Sequence, residues 1–264
     1  MSILQRVITC PICRLPLTQV PQPCEICLDY FKNELEKAPS SLIDLTPDAV
    51  HSQIEGNAVQ TKPLRTELFR SPIISFFYER ILPPIWAMGL RNLGGIDVEF
   101  QQCTEFFGED PEIVVDISCG TGIMARRLAL LGKYKQIIAL DYSESMLAQL
   151  QQQMKLDGIS PSQITIIRGD VETLPLASDS VDAIYAGAAM HCWPNAETGI
   201  GNIYQVLRKG GKLFATTFLK PLPSIVFRFF TVDELRQILL TTGFHPDHVQ
   251  VEAHGLYGII RCVK

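Results

Sequence analysis

The strongest indication of the fold lies in the residues Ile113-Val-Val-Asp-Ile-Ser-Cys-Gly-Thr-Gly122. Its first five residues form a short apolar β run that contains an acid, and a glycine-rich turn follows at once. Apolar residues at helical spacing then continue to Leu131, where Gly132 closes the helix. A strand, a tight turn and a helix in this order predict one unit of a parallel α/β sheet.

The same alternation of strands and helices continues to the end of the chain. We predict further strands over residues 136–140, 163–168, 181–186 and 212–218, and a closing hairpin over 249–252 and 257–263. Helices are expected between them, one of them with Ser143 as its N-cap. The expected fold class is therefore α/β, a doubly wound and mostly parallel sheet of seven strands over residues 111–264. Such a sheet binds its ligand at the carboxyl ends of its strands.

Composition narrows the possible functions. The chain has 264 residues, 47% of them hydrophobic and 19% charged, which is ordinary for a globular protein. Lys and Arg number 23 against 28 Asp and Glu, and this net charge of −5 argues against a protein that mainly coats nucleic acid. No run reaches the roughly 18 apolar residues of a membrane span. We expect a cytoplasmic protein, with peripheral membrane contact left open and the oligomeric state unknown.

Four of the eight cysteines form two CxxC pairs near the start of the chain. Cys10 and Cys13 are followed after ten residues by Cys24 and Cys27, and each pair presents two thiolates on one side of a tight turn. This spacing predicts a structural Zn²⁺ site in a module over residues 1–40, because four thiolates leave no coordination position for water. Two disulfides, or a redox pair, are the alternatives.

Residues 41–110 are interpreted as a linker and a helical cap. Apolar and aromatic residues crowd the segment 65–90, which is typical of a helix laid over an apolar surface. The segment is either a cap packed on the next domain or a lid over a substrate.

Three acids mark the expected ligand site. Asp116, Asp141 and Asp170 stand at or just after the ends of three successive predicted strands. The turn also satisfies a relaxed dinucleotide fingerprint, so an NAD enzyme is an alternative. An acid directly before the glycines would repel a pyrophosphate, whereas it suits a cationic amino-acid group. Asp141 can accept ribose hydroxyls and Asp170 an adenine amino group, so the pattern favours S-adenosylmethionine. As an alternative, all three acids are only turn or cap residues.

These motifs resemble the class I S-adenosylmethionine-dependent methyltransferases. The stretch Asp116-Ile-Ser-Cys-Gly-Thr-Gly122 is similar to the family's first motif, and Ala139-Leu-Asp-Tyr-Ser-Glu-Ser-Met146 is similar to the second. The resemblance implies a Rossmann-like methyltransferase fold and a set of cofactor-binding residues. They are Asp116, Ser118, Cys119, Gly120 and Gly122 around the methionine part, Asp141 at the ribose, Tyr142 and Met146 beside the adenine, and Asp170 with Val171 at its edge.

Two narrower resemblances are visible. The stretches Ser71-Pro-Ile-Ile-Ser-Phe-Phe-Tyr-Glu-Arg80 and Ala186-Gly-Ala-Ala-Met-His-Cys-Trp-Pro194 resemble poorly characterised methyltransferases of cyanobacteria and plastids, which also carry an N-terminal Cys cluster. A more distant similarity is to bacterial 23S rRNA guanine methyltransferases, which join a zinc module to this fold. The acceptor is accordingly either a small molecule or RNA.

The expected acceptor side carries His191, just beyond the fourth predicted strand. His191 is a candidate general base or acceptor-orienting residue, and Cys192 and Trp193 are candidates to line the pocket. The apolar loop 219–230 is either a packed loop or a wall for a hydrophobic, quinone-like or lipid-like acceptor. Residues 1–40 carry four basic and four acidic side chains, which is poor for gripping RNA. We therefore expect a methyltransferase acting on a small hydrophobic molecule, with an rRNA methyltransferase or a non-catalytic binding protein as alternatives.

Overall fold

A computed structural model describes residues 3–10, 42–46, 95–220 and 227–264 of the chain. In these ranges strands alternate with helices, as the sequence predicts. The strands are β1 (Ile43–Asp44), β2 (Ile113–Ile117), β3 (Gln136–Asp141), β4 (Ile164–Arg168), β5 (Val181–Ala186), β6 (Leu207–Phe218), β7 (Val249–His254) and β8 (Tyr257–Val263). The helices are α1 (Ile3–Val7), α2 (Gly95–Phe107), α3 (Ile123–Leu131), α4 (Glu144–Leu156), α5 (Ala196–Val206) and α6 (Val232–Thr242). Short 3₁₀ turns span Val171–Thr173, Met190–Cys192 and Pro246–His248.

The strands form one sheet in the order β1-β4-β3-β2-β5-β6-β8-β7. All neighbours run parallel except β8, which is antiparallel to both β6 and β7. The α/β class and the mostly parallel sheet are therefore confirmed. The chain changes direction across the sheet at β2, which lies between β3 and β5, and this is the point where such sheets bind ligands.

The prediction of seven strands was wrong, because the described residues form eight. The additional strand is β1, in the segment predicted to be a linker, and it pairs in parallel with β4. It is held by an ion pair of 2.7 Å between Asp44 and Arg168, 124 positions apart in the sequence, and by the Leu45 N–H bond to the Arg168 carbonyl. A strand of two residues shows no alternation of apolar and polar positions, so only this long-range contact defines it.

Helices cover the sheet on both faces. On one face the core includes Ile200 and Ile203 of α5 and Leu235 of α6. On the other it includes Phe107 of α2, and α3 and α4 supply further buried apolar side chains. Two separate buried clusters, one on each face, are what a doubly wound sheet requires.

The first residues of the chain also pack on this sheet. The Thr9 N–H donates to the Pro175 carbonyl and the Ala177 N–H to the Val7 carbonyl, at 3.0 and 2.7 Å. Ile8 and Cys10 are buried in the same core cluster. The other predicted zinc ligands, Cys13, Cys24 and Cys27, and the predicted cap over residues 65–90 lie outside the described residues.

Strand β6 begins earlier than the sequence predicts. The sequence predicts that Lys209-Gly210-Gly211 ends a helix and that the strand spans residues 212–218, but β6 already begins at Leu207. The pairing with β5 shifts register between Val181 and Ala183, which accommodates the glycines as a bulge.

Candidate active site at the carboxyl ends of the strands

The turn after β2 is a tight loop built on left-handed backbone. Ser118, Gly120 and Gly122 have φ values of 56°, 55° and 70°. The Gly122 N–H donates to the Cys119 carbonyl at 2.8 Å. A Cβ atom at Gly122 would lie 2.3 Å from the Leu150 side chain, so a larger residue is excluded by both conformation and space. The backbone here can approach a ligand closely.

Asp116 lies beneath this turn and is almost fully buried, at 1% exposure. Its Oδ2 accepts a hydrogen bond of 2.9 Å from the Ala125 N–H in the first turn of α3. Burial raises the pKa of Asp116 to about 8; the Ala125 N–H opposes this rise, and the nearby carboxyl groups of Asp141 and Glu99 add to it. Much of this carboxyl is therefore protonated at pH 7 in the free protein, and a cationic ligand nearby would favour its ionised form.

Asp141 ends β3 and joins two turns. Its Oδ2 accepts from the Gly120 N–H and its Oδ1 from the Ser143 N–H, both at 2.8 Å. Burial raises the pKa of Asp141, and these N–H groups work against the rise. Ser143 in turn caps α4, as predicted, by accepting from the Met146 N–H at 3.4 Å. Asp141 thus holds the glycine turn and the start of α4 in one arrangement.

Asp170 follows β4 and is also buried. Its Oδ1 accepts from the Glu172 N–H at 2.9 Å and caps the short turn Val171–Thr173. Val171 is buried, and its carbonyl accepts from the Asn202 side-chain amide of α5 at 3.0 Å. Each of the three acids therefore supports a local turn, while all three stand at the ends of the adjacent strands β2, β3 and β4.

The remaining predicted cofactor residues lie around these acids. Tyr142 is half-buried, its carbonyl accepts from the Arg168 guanidinium at 3.3 Å, and the guanidinium carbon lies 6.0 Å from its ring centre. Met146 is buried in α4. Burial, reinforced by the charges of Asp116 and Asp141, holds the pKa of Cys119 well above its ordinary value. Cys119 is therefore a neutral thiol in the turn, not an activated nucleophile.

His191 lies on the other side of β2, in the turn Met190–Cys192 after β5. It is 2% exposed, and the rings of Phe218, Phe227 and Phe229 surround it at centroid distances of 5.0, 5.5 and 5.9 Å. Its Nδ1 is buried and has no hydrogen-bond partner among the residues described. Burial lowers the pKa of His191 to about 3, so the imidazole is neutral at pH 7. A neutral, unpaired ring nitrogen can accept a proton or a hydrogen bond.

The two sides are joined by a contact that the sequence does not reveal. The Trp193 indole N–H donates to the Ser118 hydroxyl at 3.0 Å, and Trp193 itself is buried. Trp193, which the sequence suggested only as a pocket-lining residue, ties the chain after β5 to the glycine turn. Its partner lies 75 positions away in the sequence, so local patterns carry no signal of the bond.

Sequence reasoning also missed Glu99, a buried acid on α2. It accepts hydrogen bonds from the Tyr185 and Thr216 hydroxyls at 2.6 and 3.0 Å. A signal was present, since Glu99 shares one helical face with the buried Cys103 and Phe107, where an apolar residue is the norm.

Comparisons with known proteins agree with this architecture. Residues 115–215 match a family model described as a methyltransferase domain. An uncharacterized chloroplastic methyltransferase of Arabidopsis thaliana is 36% identical over 273 residues, which cover 93% of this chain and 75% of that protein. The demethylmenaquinone methyltransferase of Desulfitobacterium hafniense is 36% identical over 111 residues, 41% of this chain and 43% of that protein.

A solved structure shows the same fold. The S-adenosylmethionine-dependent methyltransferase of Aquifex aeolicus superposes with a TM-score of 0.53 at 16% identity, covering 62% of this chain and 89% of that one. The chain therefore belongs to the class I S-adenosylmethionine-dependent methyltransferases. It is an enzyme of that class, and S-adenosylmethionine is its methyl donor.

Two further findings concern only the described part of the chain. No three His, Cys, Asp or Glu side chains in it lie close enough together to hold a metal ion. None of the helices in it combines the length and the apolar character that crossing a bilayer requires.

Proposed function

We propose that this methyltransferase transfers the methyl group to a small hydrophobic acceptor bound beside His191. The observation that carries the proposal is the enclosure of a buried, neutral imidazole by Phe218, Phe227 and Phe229. An aromatic enclosure favours a flat apolar ring over a charged nucleic-acid backbone. The Desulfitobacterium relative is named for demethylmenaquinone, and from it we take only a class of acceptor, a quinone-like ring.

In this mechanism the protein aligns the two reactants and excludes water. Asp116, with the turn from Ser118 to Gly122, would hold the methionine part of the donor, and Cys119 would pack within that turn. Asp141 would hold the ribose, Tyr142 and Met146 would flank the adenine, and Asp170 with the Val171 backbone would bind its edge. Bound by these residues, S-adenosylmethionine would supply the methyl group together with a neutral thioether as leaving group, and therefore much of the driving force.

His191 has the role of base or orienting group. If the acceptor is a ring hydroxyl, His191 Nδ1 can accept its proton as the oxygen attacks the methyl group. The low pKa makes His191 a weak base in the free protein, and ionised acceptor oxygen nearby would raise it. Substitution by Asn or Phe is expected to lower the methyl-transfer rate by roughly 10² to 10⁴.

The experiment is methyl transfer from isotopically labelled S-adenosylmethionine into two fractions of the same cells, an organic extract and total RNA. Label in the organic fraction that depends on active enzyme supports the proposal. The Asp116→Ala variant controls for uncatalysed labelling. Label confined to RNA would favour the rRNA alternative, and cofactor binding without labelling of either fraction would favour a non-catalytic binding protein.

We also propose that Cys10, Cys13, Cys24 and Cys27 bind a structural Zn²⁺ in a module over residues 1–40. The donor set supports this, since four thiolates in two CxxC pairs suit tetrahedral zinc. Cys10 is buried against the sheet domain, so this module and the domain over residues 111–264 would pack together. One zinc per chain by mass spectrometry, lost in a Cys24→Ser, Cys27→Ser variant, is the expected result, and metal-free wild-type protein would reject it.

We also propose that residues 41–110, apart from β1, form a linker and a helical cap, that the protein is cytoplasmic, and that it is related to the methyltransferases of cyanobacteria and plastids. The Arabidopsis relative is chloroplastic by name, so fractionation of cells that express tagged protein is the test of location.

A further inference from the structure

A compact hydrogen-bonded cluster joins α2 to the strands on the acceptor side. Glu99 Oε1 accepts from the Tyr185 hydroxyl at 2.6 Å and from the Thr216 hydroxyl at 3.0 Å. Glu99 Oε2 lies 3.2 Å from the Tyr257 hydroxyl, which is also 2.7 Å from Thr216 Oγ1. All four side chains are buried, Glu99 at 5% exposure. The cluster thus contains four oxygen–oxygen contacts of hydrogen-bond length.

The number of hydrogens in the cluster distinguishes the ionised from the neutral form of Glu99. The three hydroxyls carry one hydrogen each, whereas four contacts need four. If Glu99 were ionised, one contact would bring two lone pairs together without a proton. If Glu99 Oε2 carries the fourth hydrogen and donates to Tyr257, then Tyr257 donates to Thr216 and every contact is a hydrogen bond. Only the neutral acid satisfies the whole cluster.

The surroundings also disfavour a charge at this position. The titratable groups that face Glu99 are Cys103 on its own helix, Asp116 on β2, Tyr185 on β5 and Tyr257 on β8. Arg261 of β8 is engaged elsewhere, with Gln102 at 2.9 Å and Glu252 at 3.1 Å. No basic side chain of the described residues lies within ion-pair distance of Glu99. Burial raises the pKa of Glu99 above its ordinary value, against the effect of the three hydroxyls.

The cluster reaches the backbone that carries the acceptor-side residues. Thr216 Oγ1 also accepts from the Ala188 N–H at 2.9 Å. Ala188 has a φ of 47°, a conformation that a residue with a side chain rarely adopts. Beside it, a Cβ atom at Gly187 would lie 1.9 Å from the Tyr185 hydroxyl. The strained turn is therefore held by Thr216 and closely overlaid by Tyr185.

We propose that Glu99 is present as the neutral carboxylic acid and acts as a positioning residue, which holds the strained turn after β5 through the Thr216 hydroxyl. That turn leads to His191 and Trp193, so the inference deepens the proposed function and rests on it for its catalytic meaning. Glu99 acts through its neighbours and is not assigned contact with substrate.

The protonation state is tested by infrared difference spectroscopy of full-length wild-type protein and the Glu99→Gln variant at pH 7. The expected result is loss of one carboxylic-acid carbonyl band in the variant. Asp116→Asn serves as the matched control, because it removes a different buried acid and a separate band. Loss of only carboxylate bands in Glu99→Gln would show that Glu99 is ionised and would overturn the proposal. This measurement requires no methyl transfer, so its outcome is independent of the acceptor.

The positioning role is tested with Gln as a mimic of the neutral acid. Its carbonyl can accept from Tyr185 and Thr216 while its amide donates to Tyr257. In a Trp86→Phe background, in which Trp193 is the only tryptophan, Glu99→Gln should keep the fluorescence and bind S-adenosylhomocysteine within about twofold of the parent.

Glu99→Leu and Thr216→Val should both shift the Trp193 emission to longer wavelength and weaken S-adenosylhomocysteine binding by about threefold to fivefold. If Gln and Leu at position 99 perturb Trp193 equally, the proposal is wrong. If Leu prevents folding, Thr216→Val and Glu99→Gln still decide it. If the infrared and fluorescence results are as expected but no acceptor is labelled, only the proposed function is contradicted.

Discussion

The two sides of the site are built in different ways. On the proposed cofactor side, at the ends of β2, β3 and β4, the carboxylates of Asp116, Asp141 and Asp170 accept hydrogen bonds from backbone N–H groups. On the proposed acceptor side, after β5 and β6, aromatic rings surround a histidine whose Nδ1 has no partner among the described residues. The cofactor side is preorganised by its own main chain. On the other side, the His191 Nδ1 is buried without a hydrogen-bond partner among the described residues, which is the atom that the proposed acceptor would contact.

The largest expected effect comes from the acid on the cofactor side. The folded-state pKa of Asp116, about 8, lies above its ordinary value of 3.8, so protonation stabilises the folded protein. This stabilisation is present at acid pH and is lost as pH rises towards 8. The wild-type free energy of unfolding should fall by roughly 3 to 4 kcal/mol more than that of Asp116→Asn between pH 5 and pH 8.

Urea denaturation at several pH values measures this difference. Asp182→Asn is the matched control, since it removes an acid that accepts from the Ile113 backbone at the opposite end of β2. If the free energy of unfolding changes with pH in the same way for wild type and Asp116→Asn, the raised pKa of Asp116 is contradicted. Binding of S-adenosylmethionine, a cation, should tighten with rising pH over the same range because it favours the ionised acid.

The second prediction concerns a substitution that distorts the glycine turn after β2. Gly122→Ala places a methyl group on left-handed backbone and 2.3 Å from Leu150, so we expect about 2 to 3 kcal/mol of destabilisation and loss of measurable cofactor binding. Gly132→Ala has nearly the same φ, 69°, but nothing within 4 Å of the new Cβ.

Comparison of the two variants by thermal unfolding and calorimetry separates strain from collision. The control should cost only about 1 kcal/mol and leave S-adenosylmethionine binding unchanged. Equal losses of stability in the two variants would mean that the contact with Leu150 is unimportant.

The third prediction concerns the pH dependence of stability that comes from His191. Because the pKa of His191 is lowered to about 3, its imidazole resists protonation in the folded state, and acid favours unfolding. Stability from this residue is present above pH 6.5 and declines as pH falls towards 3. Relative to His191→Phe, wild type should lose about 1.5 to 2 kcal/mol between pH 7 and pH 5.

Denaturation at the two pH values provides the test, with the exposed His248→Phe as the control for loss of one imidazole. The affinity of His191→Phe for S-adenosylhomocysteine should remain that of wild type, since His191 lies outside the cofactor side. If the stability of His191→Phe depends on pH in the same way as that of wild type, the His191 imidazole is solvated in the folded protein.

The smallest effect concerns the bond that joins the two sides. Trp193→Phe removes the indole N–H that donates to Ser118, and we expect about 1 kcal/mol of destabilisation and a severalfold weaker cofactor affinity. A double-mutant cycle with Ser118→Ala measures the coupling directly. Additive effects of the two substitutions would mean that the sides are not energetically joined.

The sequence predicted more of the proposed cofactor side than of the proposed acceptor side. Asp141 and the glycine turn are visible because a strand end, an acid and glycines lie within a few positions of one another. The capping of α4 by Ser143 was likewise predicted from local spacing. The neutral state and the aromatic surroundings of His191 were not predicted, because they depend on β6 and on a loop more than twenty positions away in the sequence.

The amino-acid sequence suffices to predict the alternation of strands and helices, the position of the glycine turn and the acids at three strand ends. These features follow from local conformational preference and apolar periodicity, which act over a few residues. Three features are visible only in the folded protein: the pairing of Ile43–Asp44 with β4, the bond from Trp193 to Ser118 and the hydrogen-bonded cluster around Glu99. Each of these joins atoms far apart in the chain, and burial, not local sequence, sets its charge and hydrogen bonding.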